Sequence, residues 1–358
     1  MKNKIILLII ILAFVAIIGG GFLYYSNGLK PVNPGAGEDI RVKIEEGTGV
    51  TGIARLLEEN NVIRDQDIMK IYCRLNNVRG LQAGRYKLNN GEDLKTILAH
   101  IQNGEIDNDT VRITFVEGKN MRYYAKQIAA YTNNTEEDVF NLLKDEEYID
   151  SLIEKYWFLT DEIKDDEIFY PLEGYLLPDT YEFESPDVSV KTIFNIILNY
   201  TDKFLSQYKD EEMPNGITIH QMLTFASIAE LEGESEEDRA EIIGVFWNRL
   251  ALKMPLGSDV TTYYAFGVDM GERNLTKKEI YTYSPYNTRH KEMAGKIPIG
   301  PICNPSKSAI EAAVHYKETD AYYFVADKNK KIYFTKNNNE HEQKIKDLKA
   351  QGLWFTYE

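Results

Sequence analysis

Cysteine is nearly absent: Cys73 and Cys303 are the two in 358 residues. Two thiols in unrelated segments cannot build a thiolate metal cluster. A chain of this length needs no bridge to fold, so both are expected as buried or half-buried thiols. Histidine is scarce too. The five, at 100, 220, 290, 315 and 341, show no paired spacing of the His-Glu-x-x-His kind, so no metal site and no cofactor is expected. A basic excess is missing as well: 41 Lys and Arg against 56 Asp and Glu leave a formal charge of −15. That is the wrong sign for a phosphate backbone, which excludes nucleic acid as a partner. Nor is there a glycine-rich phosphate loop, because Gly19, Gly20 and Gly21 lie inside an apolar stretch.

That stretch is the strongest positive signal. Residues 5–25 carry no charge, and as a helix at ~1.5 Å per residue they extend roughly 31 Å, the thickness of a bilayer's hydrocarbon core. A cleaved leader would have an apolar region of roughly 7–15 residues; this run is longer and ends in Phe22, Leu23, Tyr24 and Tyr25. No cysteine follows it to carry a lipid. Lys2 and Lys4 precede it, so the positive-inside rule leaves residues 1–4 as a cytosolic stub and places the rest beyond the cytoplasmic membrane. The expectation is a single-pass cell-membrane protein with an extracytoplasmic body. Residues 26–39, with Gly28, Pro31, Pro34, Gly35 and Gly37, read as a spacer.

A faint duplication follows. Residues 40–47 and 111–118 both alternate as strands and end in Glu-Gly, and each is followed by helical periodicity. Asp67-Ile68 in a second helix of the first unit matches Asp138-Val139 in the second, and strands at 84–88 and 179–183 close the two units before another helix. The pattern is strand–helix–helix–strand–helix twice, with insertions in the second copy. Such βααβ units are similar to LysM modules, which bind glycan chains; a repeat that only packs has the same pattern. From Thr218 onward amphipathic helices alternate with loops rich in Tyr, Asn, Gly and Pro. A hairpin over 321–335 and a helix over 341–351 end the chain.

Chemistry gathers in this last region. Thr218 with Gln221 has the form of a capping box. Ile219, Met222, Leu223 and Ala226 then form an apolar stripe that Glu230 continues before Gly233 breaks the helix. A carboxyl at the end of an apolar face is partly desolvated, which favours the protonated form a general acid needs. Around it fall three loops: 256–264 with Asp259 and Thr261, 284–288 with Tyr286 and Asn287, and the proline-rich 297–305 with Asn304. Aromatic rings with Asn and Asp suit sugar binding; turns tied by Asn and Pro look the same from sequence. The acidic stretch Glu234 to Asp238 reads as a helix start capped by Ser235.

The segments Ala226-Ser-Ile-Ala-Glu230, Pro255-Leu-Gly-Ser-Asp259, Ser284-Pro-Tyr-Asn-Thr288, Gly300-Pro-Ile-Cys-Asn-Pro305 and Glu173-Gly-Tyr-Leu-Leu-Pro-Asp-Thr-Tyr-Glu-Phe183 occur in the order and spacing of the endolytic murein transglycosylase (YceG-like) family, which the chain resembles over nearly its whole length. The resemblance implies an α+β fold with an N-terminal single transmembrane helix at 5–25, a linker at 26–39 and a LysM-like βααβ module at 40–108. A catalytic domain at 109–358 would follow, made of a second repeat-like unit at 109–205 and active-site helices and loops at 218–358. It implies a lyase that cuts MurNAc-β-1,4-GlcNAc bonds in nascent peptidoglycan strands, leaves 1,6-anhydroMurNAc ends and terminates elongation, with peptidoglycan synthases as partners. Glu230 would be the single acid/base, and Asp259, Thr261, Tyr286, Asn287 and Asn304 would contact substrate. Asp259 could also stabilise positive charge or merely cap a turn. Gly257 and Val260 depart from the family pattern, which has Gln and Pro there. The alternatives are a hydrolase of the same bond, with Asp259 or Glu232 as the second carboxylate, and a non-catalytic membrane-anchored glycan-binding scaffold.

Overall fold

The computed structural model describes residues 2–105 and 110–354, with the side chains of the opening helix described at 12, 14, 15 and from 17 onward. The chain divides into two compact units, Met1–Asp109 and Thr110–Glu358. Both mix helices with short antiparallel strand pairs, an α+β architecture.

The first unit opens with helix α1, Lys2–Gly28. Among the described residues no helix is long and apolar enough to cross a membrane, so the transmembrane helix expected at 5–25 is not a feature the fold establishes. The side chains of 5–11, 13 and 16 lie outside the described residues. Next come β1 (Asp39–Ile44), α2 (Val50–Glu59), α3 (Gln66–Leu75), β2 (Gly84–Asn89) and α4 (Leu94–Asn103). β1 and β2 pair antiparallel with Val42 opposite Tyr86. The period-two pattern puts Val42, Ile44, Tyr86 and Leu88 on one face. There they meet Ile53, Leu57, Ile68, Met69, Ile97 and Ile101 from the three helices. Asp65 and Asp93 cap α3 and α4 through their side chains.

The second unit begins with β3 (Val111–Thr114), α5 (Met121–Tyr131), α6 (Glu136–Leu143) and α7 (Glu146–Lys155), followed by a long loop to β4 (Thr180–Phe183) and then α8 (Val190–Leu205). β3 pairs β4 antiparallel with Ile113 opposite Tyr181. The remainder is α9 (Ile219–Glu232), α10 (Glu236–Ala251), α11 (Asp259–Ala265), α12 (Lys277–Tyr281), α13 (Lys307–Val314), the pair β5 (Tyr323–Ala326) and β6 (Ile332–Thr335), and α14 (Asn338–Ala350). Thr218 and Gln221 form the capping box that opens α9, and Ser235 with Asp238 forms the one that opens α10. α9 is the central element. Every residue from Met222 to Ala229 is buried, because α10, α11 and α13 all pack on it. The apolar stripe foreseen on one face is thus one side of a helix surrounded by protein. Cys73 and Cys303 are both free and buried.

Candidate active site

Glu230 occupies the last turn of α9, three residues before the capping Gly233. Its side chain is 7% exposed. Oε1 accepts from Arg239 Nη2 on α10 at 3.0 Å; Oε2 accepts from the Ser306 N–H at 2.9 Å and from Ser306 Oγ at 2.5 Å. The shelter foreseen for this carboxyl is present, but it is a polar shelter, with a cation on one oxygen and two donors on the other. Ser306 also caps α13, its Oγ accepting from Ala309 N at 3.2 Å. The dipole of α13 therefore adds positive potential behind Oε2. Arg239 gives its other terminal nitrogen to Ser308 Oγ at 2.7 Å. Neither Arg239 nor Ser306 is singled out by sequence reasoning. Arg239 hides in an acidic helix start, and the one signal for Ser306 is its position after Asn304-Pro305.

Beside this carboxyl runs a cleft of 360 Å³ whose lining includes Gly118, Arg122, Leu231, Tyr263, Val268 and Ile302. Glu230 is not itself in the lining, but its chain neighbour Leu231 and the nearby Gly118 are. Gly118 has φ +69°, and a Cβ there would come to 3.2 Å from Leu231 and 3.5 Å from Glu230 Cγ. A side chain at 118 would both strain the turn and press on Leu231. Arg122 on α5 pairs with Asp269 at 2.8 Å, and both residues line the cleft.

The expected substrate residues divide. Asp259 is the first residue of α11, 53% exposed, and forms an ion pair with Arg289. Thr261, Tyr286, Asn287 and Asn304 are at most 1% exposed, so direct sugar contact is not what their geometry offers. Asn287 accepts from Thr262 Oγ1 at 2.7 Å and donates to the carbonyls of Glu279, Ile280 and Thr282. Thr261 Oγ1 meets Ser258 O at 2.7 Å and Thr288 Oγ1 at 2.8 Å. Tyr286 packs its ring against Phe169 and Tyr264. Asn304 Oδ1 accepts from Gly174 and Leu176 N–H at 2.9 and 3.1 Å. These four brace the loops, since a buried amide or hydroxyl must find protein partners.

The loop before Ser306 is laced onto α9. His220 Nε2 donates to Ile299 O at 2.7 Å, which leaves Nδ1 to accept from Tyr175 Oη at 2.8 Å. Burial holds the His220 pKa below its ordinary value, so the ring is neutral. Ile302 N donates to Ser227 Oγ at 3.1 Å. Gly257, a departure from the resembled family pattern, has φ +66°, and Arg249 Nη1 lies 3.1 Å from where its Cβ would be. Glycine meets the left-handed turn without strain while Arg249 fills the adjacent space.

Two other carboxyls are half-buried or fully buried. Ser258 Oγ donates to Glu232 at 2.6 Å; burial raises the Glu232 pKa, the Ser258 contact opposes that rise, and nearby Asp259 adds to it. Glu173 is 2% exposed, and burial pushes its pKa up to about 8 against the lowering effect of the Met121 N–H. Among the described residues no group of three or more His, Cys, Asp or Glu is placed to hold a metal ion.

Comparison with known proteins gives one consistent picture. Residues 42–347 match the model of the YceG-like family. A Bacillus subtilis protein named endolytic murein transglycosylase is 36% identical over 328 residues, 91% of this chain and 89% of that protein. A Streptococcus pneumoniae protein of the same name is 30% identical, the match covering 93% of this chain and 63% of the longer protein. The crystal structure of a putative yceG-like protein from Listeria monocytogenes superposes with a TM-score of 0.61 at 34% identity, covering 86% of this chain and 99% of that one.

Proposed function

Since the chain belongs to the YceG-like family, we propose that it is an endolytic murein transglycosylase, a lyase that cuts within peptidoglycan glycan strands, with Glu230 as its acid/base. The name carried by relatives at 36% and 30% identity supports the activity. The observation that carries the residue assignment is a sheltered carboxyl, 7% exposed, held by Arg239 and Ser306 and next in the chain to Leu231, which lines the cleft.

The reaction needs one group that gives a proton and takes one back. Protonated Glu230 donates to the glycosidic oxygen as positive charge develops on the sugar. As carboxylate it then accepts the proton of the substrate's own C6 hydroxyl, whose oxygen closes the 1,6-anhydro ring on MurNAc. The arrangement seen here, with both oxygens accepting, suits the second half; in the first half one oxygen exchanges its donor for a proton. No water enters, so no second catalytic carboxylate is required, whereas hydrolysis uses a pair. Glu232 and Asp259 are the carboxyls a hydrolase would use, and Asp259 is committed to Arg289 in this structure.

Two outlying parts belong to the same proposal. α1 anchors the protein in the cytoplasmic membrane, N-terminus inside and body outside. Leu12, Phe14, Val15, Ile17, Ile18, Phe22 and Leu23 are all more than half exposed on it, apolar on every side, as a helix in lipid would be. The unit at 40–108 acts as a LysM-like glycan-binding module ahead of the catalytic domain at 109–358. Placement beside peptidoglycan synthases would let the cut terminate nascent strands.

The deciding experiment digests peptidoglycan with the full-length protein and with Glu230→Gln, and weighs the fragments. Wild type should yield anhydro ends, which are one water lighter than hydrolytic ends, and the variant none. Reducing ends from wild type would favour the hydrolase; undiminished cleavage by the variant would remove Glu230 from the reaction.

A further inference from the structure

Glu173 takes no part in the chemistry above, yet it is the most completely enclosed carboxyl near the cleft. It lies in the long loop between α7 and β4, 2% exposed. Three donors converge on it. The Met121 N–H, in the first turn of α5, lies 3.0 Å from Oε2. Tyr264 Oη, on α11, lies 3.1 Å from the same oxygen. Asn304 Nδ2 lies 3.4 Å from Oε1. α5 and α11 both line the 360 Å³ cleft, through Arg122 and Tyr264.

Asn304 extends this junction to the catalytic carboxyl. Its N–H donates to Lys119 O at 3.0 Å and its carbonyl accepts from Gly118 N at 3.0 Å. Gly118 is the turn that packs on Glu230. Two residues beyond Asn304, Ser306 gives both of its donors to Glu230 Oε2. One buried side chain thus fastens two walls of the cleft and the loop that grips the reacting group.

We propose that Glu173 is a positioning residue, a buried carboxyl that holds α5, α11 and the 304–306 loop in the geometry in which Glu230 meets its substrate. The inference rests on the assignment of Glu230 as acid/base. Among the described residues no ion pair compensates a charge on Glu173: Arg122 is near enough to lower its pKa but pairs with Asp269. The other groups facing it are Tyr124 on α5, Tyr170 in the preceding loop, Tyr264 on α11, and Tyr286 and Cys303 in the loops, and each has its own pKa raised. Glu173 is therefore the first of this group to ionise as the pH climbs. The native state keeps a proton that the unfolded chain loses above about pH 4.5 and gives it up near pH 8. Over that window the unfolded state binds fewer protons than the native, so stability falls as pH rises. Ionisation would place a charge in this enclosure that the Met121 N–H and the Tyr264 hydroxyl offset in part, and the remaining cost of burying it weakens the junction.

The test measures kcat and KM on peptidoglycan strands from about pH 6 to pH 9.5 for full-length wild type, Glu173→Gln, Glu173→Ala and Glu230→Gln, with melting temperatures alongside. Wild-type kcat should fall on the alkaline side. Glu173→Gln, which keeps the shape but cannot ionise, should lose that fall and stay within about fivefold of wild type at pH 6.5 with KM nearly unchanged. Glu173→Ala should drop kcat by about 10²-fold, the size expected for a misplacement of ~1 Å at the reacting group. An alkaline fall in kcat and melting temperature alike that persists in Glu173→Gln overturns the proposal, as does a Glu173→Ala protein with lowered melting temperature but wild-type kcat per folded molecule. Should Glu173→Ala fail to fold, the Gln variant decides. An active Glu230→Gln overturns the catalytic assignment and the positioning role together; an inactive one beside a Glu173→Gln that keeps the wild-type alkaline fall in kcat and melting temperature overturns the positioning role alone.

Discussion

In the first unit β1 and β2 turn Val42, Ile44, Tyr86 and Leu88 onto a core of aliphatic side chains, and in the second β3 and β4 turn Ile113, Tyr181 and Phe183 inward in the same way. Their interiors then diverge. Apart from the hydroxyl of Tyr86, Asn90 is the single buried polar side chain among the described residues of the first unit, accepting from Glu38 N. The second buries Glu173, His220, Ser227, Thr261, Asn287, Asn304 and Ser306. Buried polar groups cost free energy unless each is satisfied, and once satisfied they rigidify what they join. A unit that only packs can be built from apolar side chains; one that must hold a carboxyl and several loops in register needs the hydrogen bonds.

Substitutions in the two units should therefore fail in different ways. The largest effect is expected for Glu230→Gln, about 10³-fold or more in kcat with an unchanged melting temperature, in line with the loss of an acid/base; a residual rate near wild type would erase the distinction. Leu57→Ala, in the first core and 0% exposed, should cost about 2–5 kcal/mol of stability, read by denaturant melting, while leaving kcat per folded molecule unaltered. If kcat fell in step, the first unit would have a part in the chemistry. Ser306→Ala should do both at once. It should lose about 1 kcal/mol with the cap of α13 and about tenfold in kcat as Glu230 gives up a donor, so a pure stability loss would demote Ser306 to a cap alone. Smallest is Tyr86→Phe. It removes a hydroxyl that donates to Gln82 O at 2.9 Å and should cost about 1 kcal/mol with no kinetic trace.

Much of this was open to inspection along the chain. The strands at 40–47, 84–88, 111–118 and 179–183 overlap β1, β2, β3 and β4, because a half-buried strand has to alternate. The capping boxes at Thr218 and Ser235 stand where hydroxyl and acid or amide are three residues apart. The family resemblance is shared with relatives over most of the chain. What escaped was the fate of side chains in loops. Tyr286 and Asn287 look like exposed sugar contacts in a Ser-Pro-Tyr-Asn turn, yet both are buried, since an Asn that bridges three carbonyls and an Asn that bridges sugar hydroxyls present the same residue to a reader. Arg239 and Ser306 are separated from Glu230 by nine and 76 positions; the first carries no local signal, and the second has only its place after Asn304-Pro305.

Periodicity, capping and composition are local properties, and local properties fix where helices and strands begin, which faces they bury, and that a carboxyl ends α9. They also contain the charge balance and the apolar opening run. That Ser306 reaches that carboxyl, and that Glu173 ties α5, α11 and Asn304 together, depended on segments more than fifty residues apart being brought within 3.4 Å. Such meetings are made by packing of the whole second unit around α9, and no stretch of neighbouring residues records them.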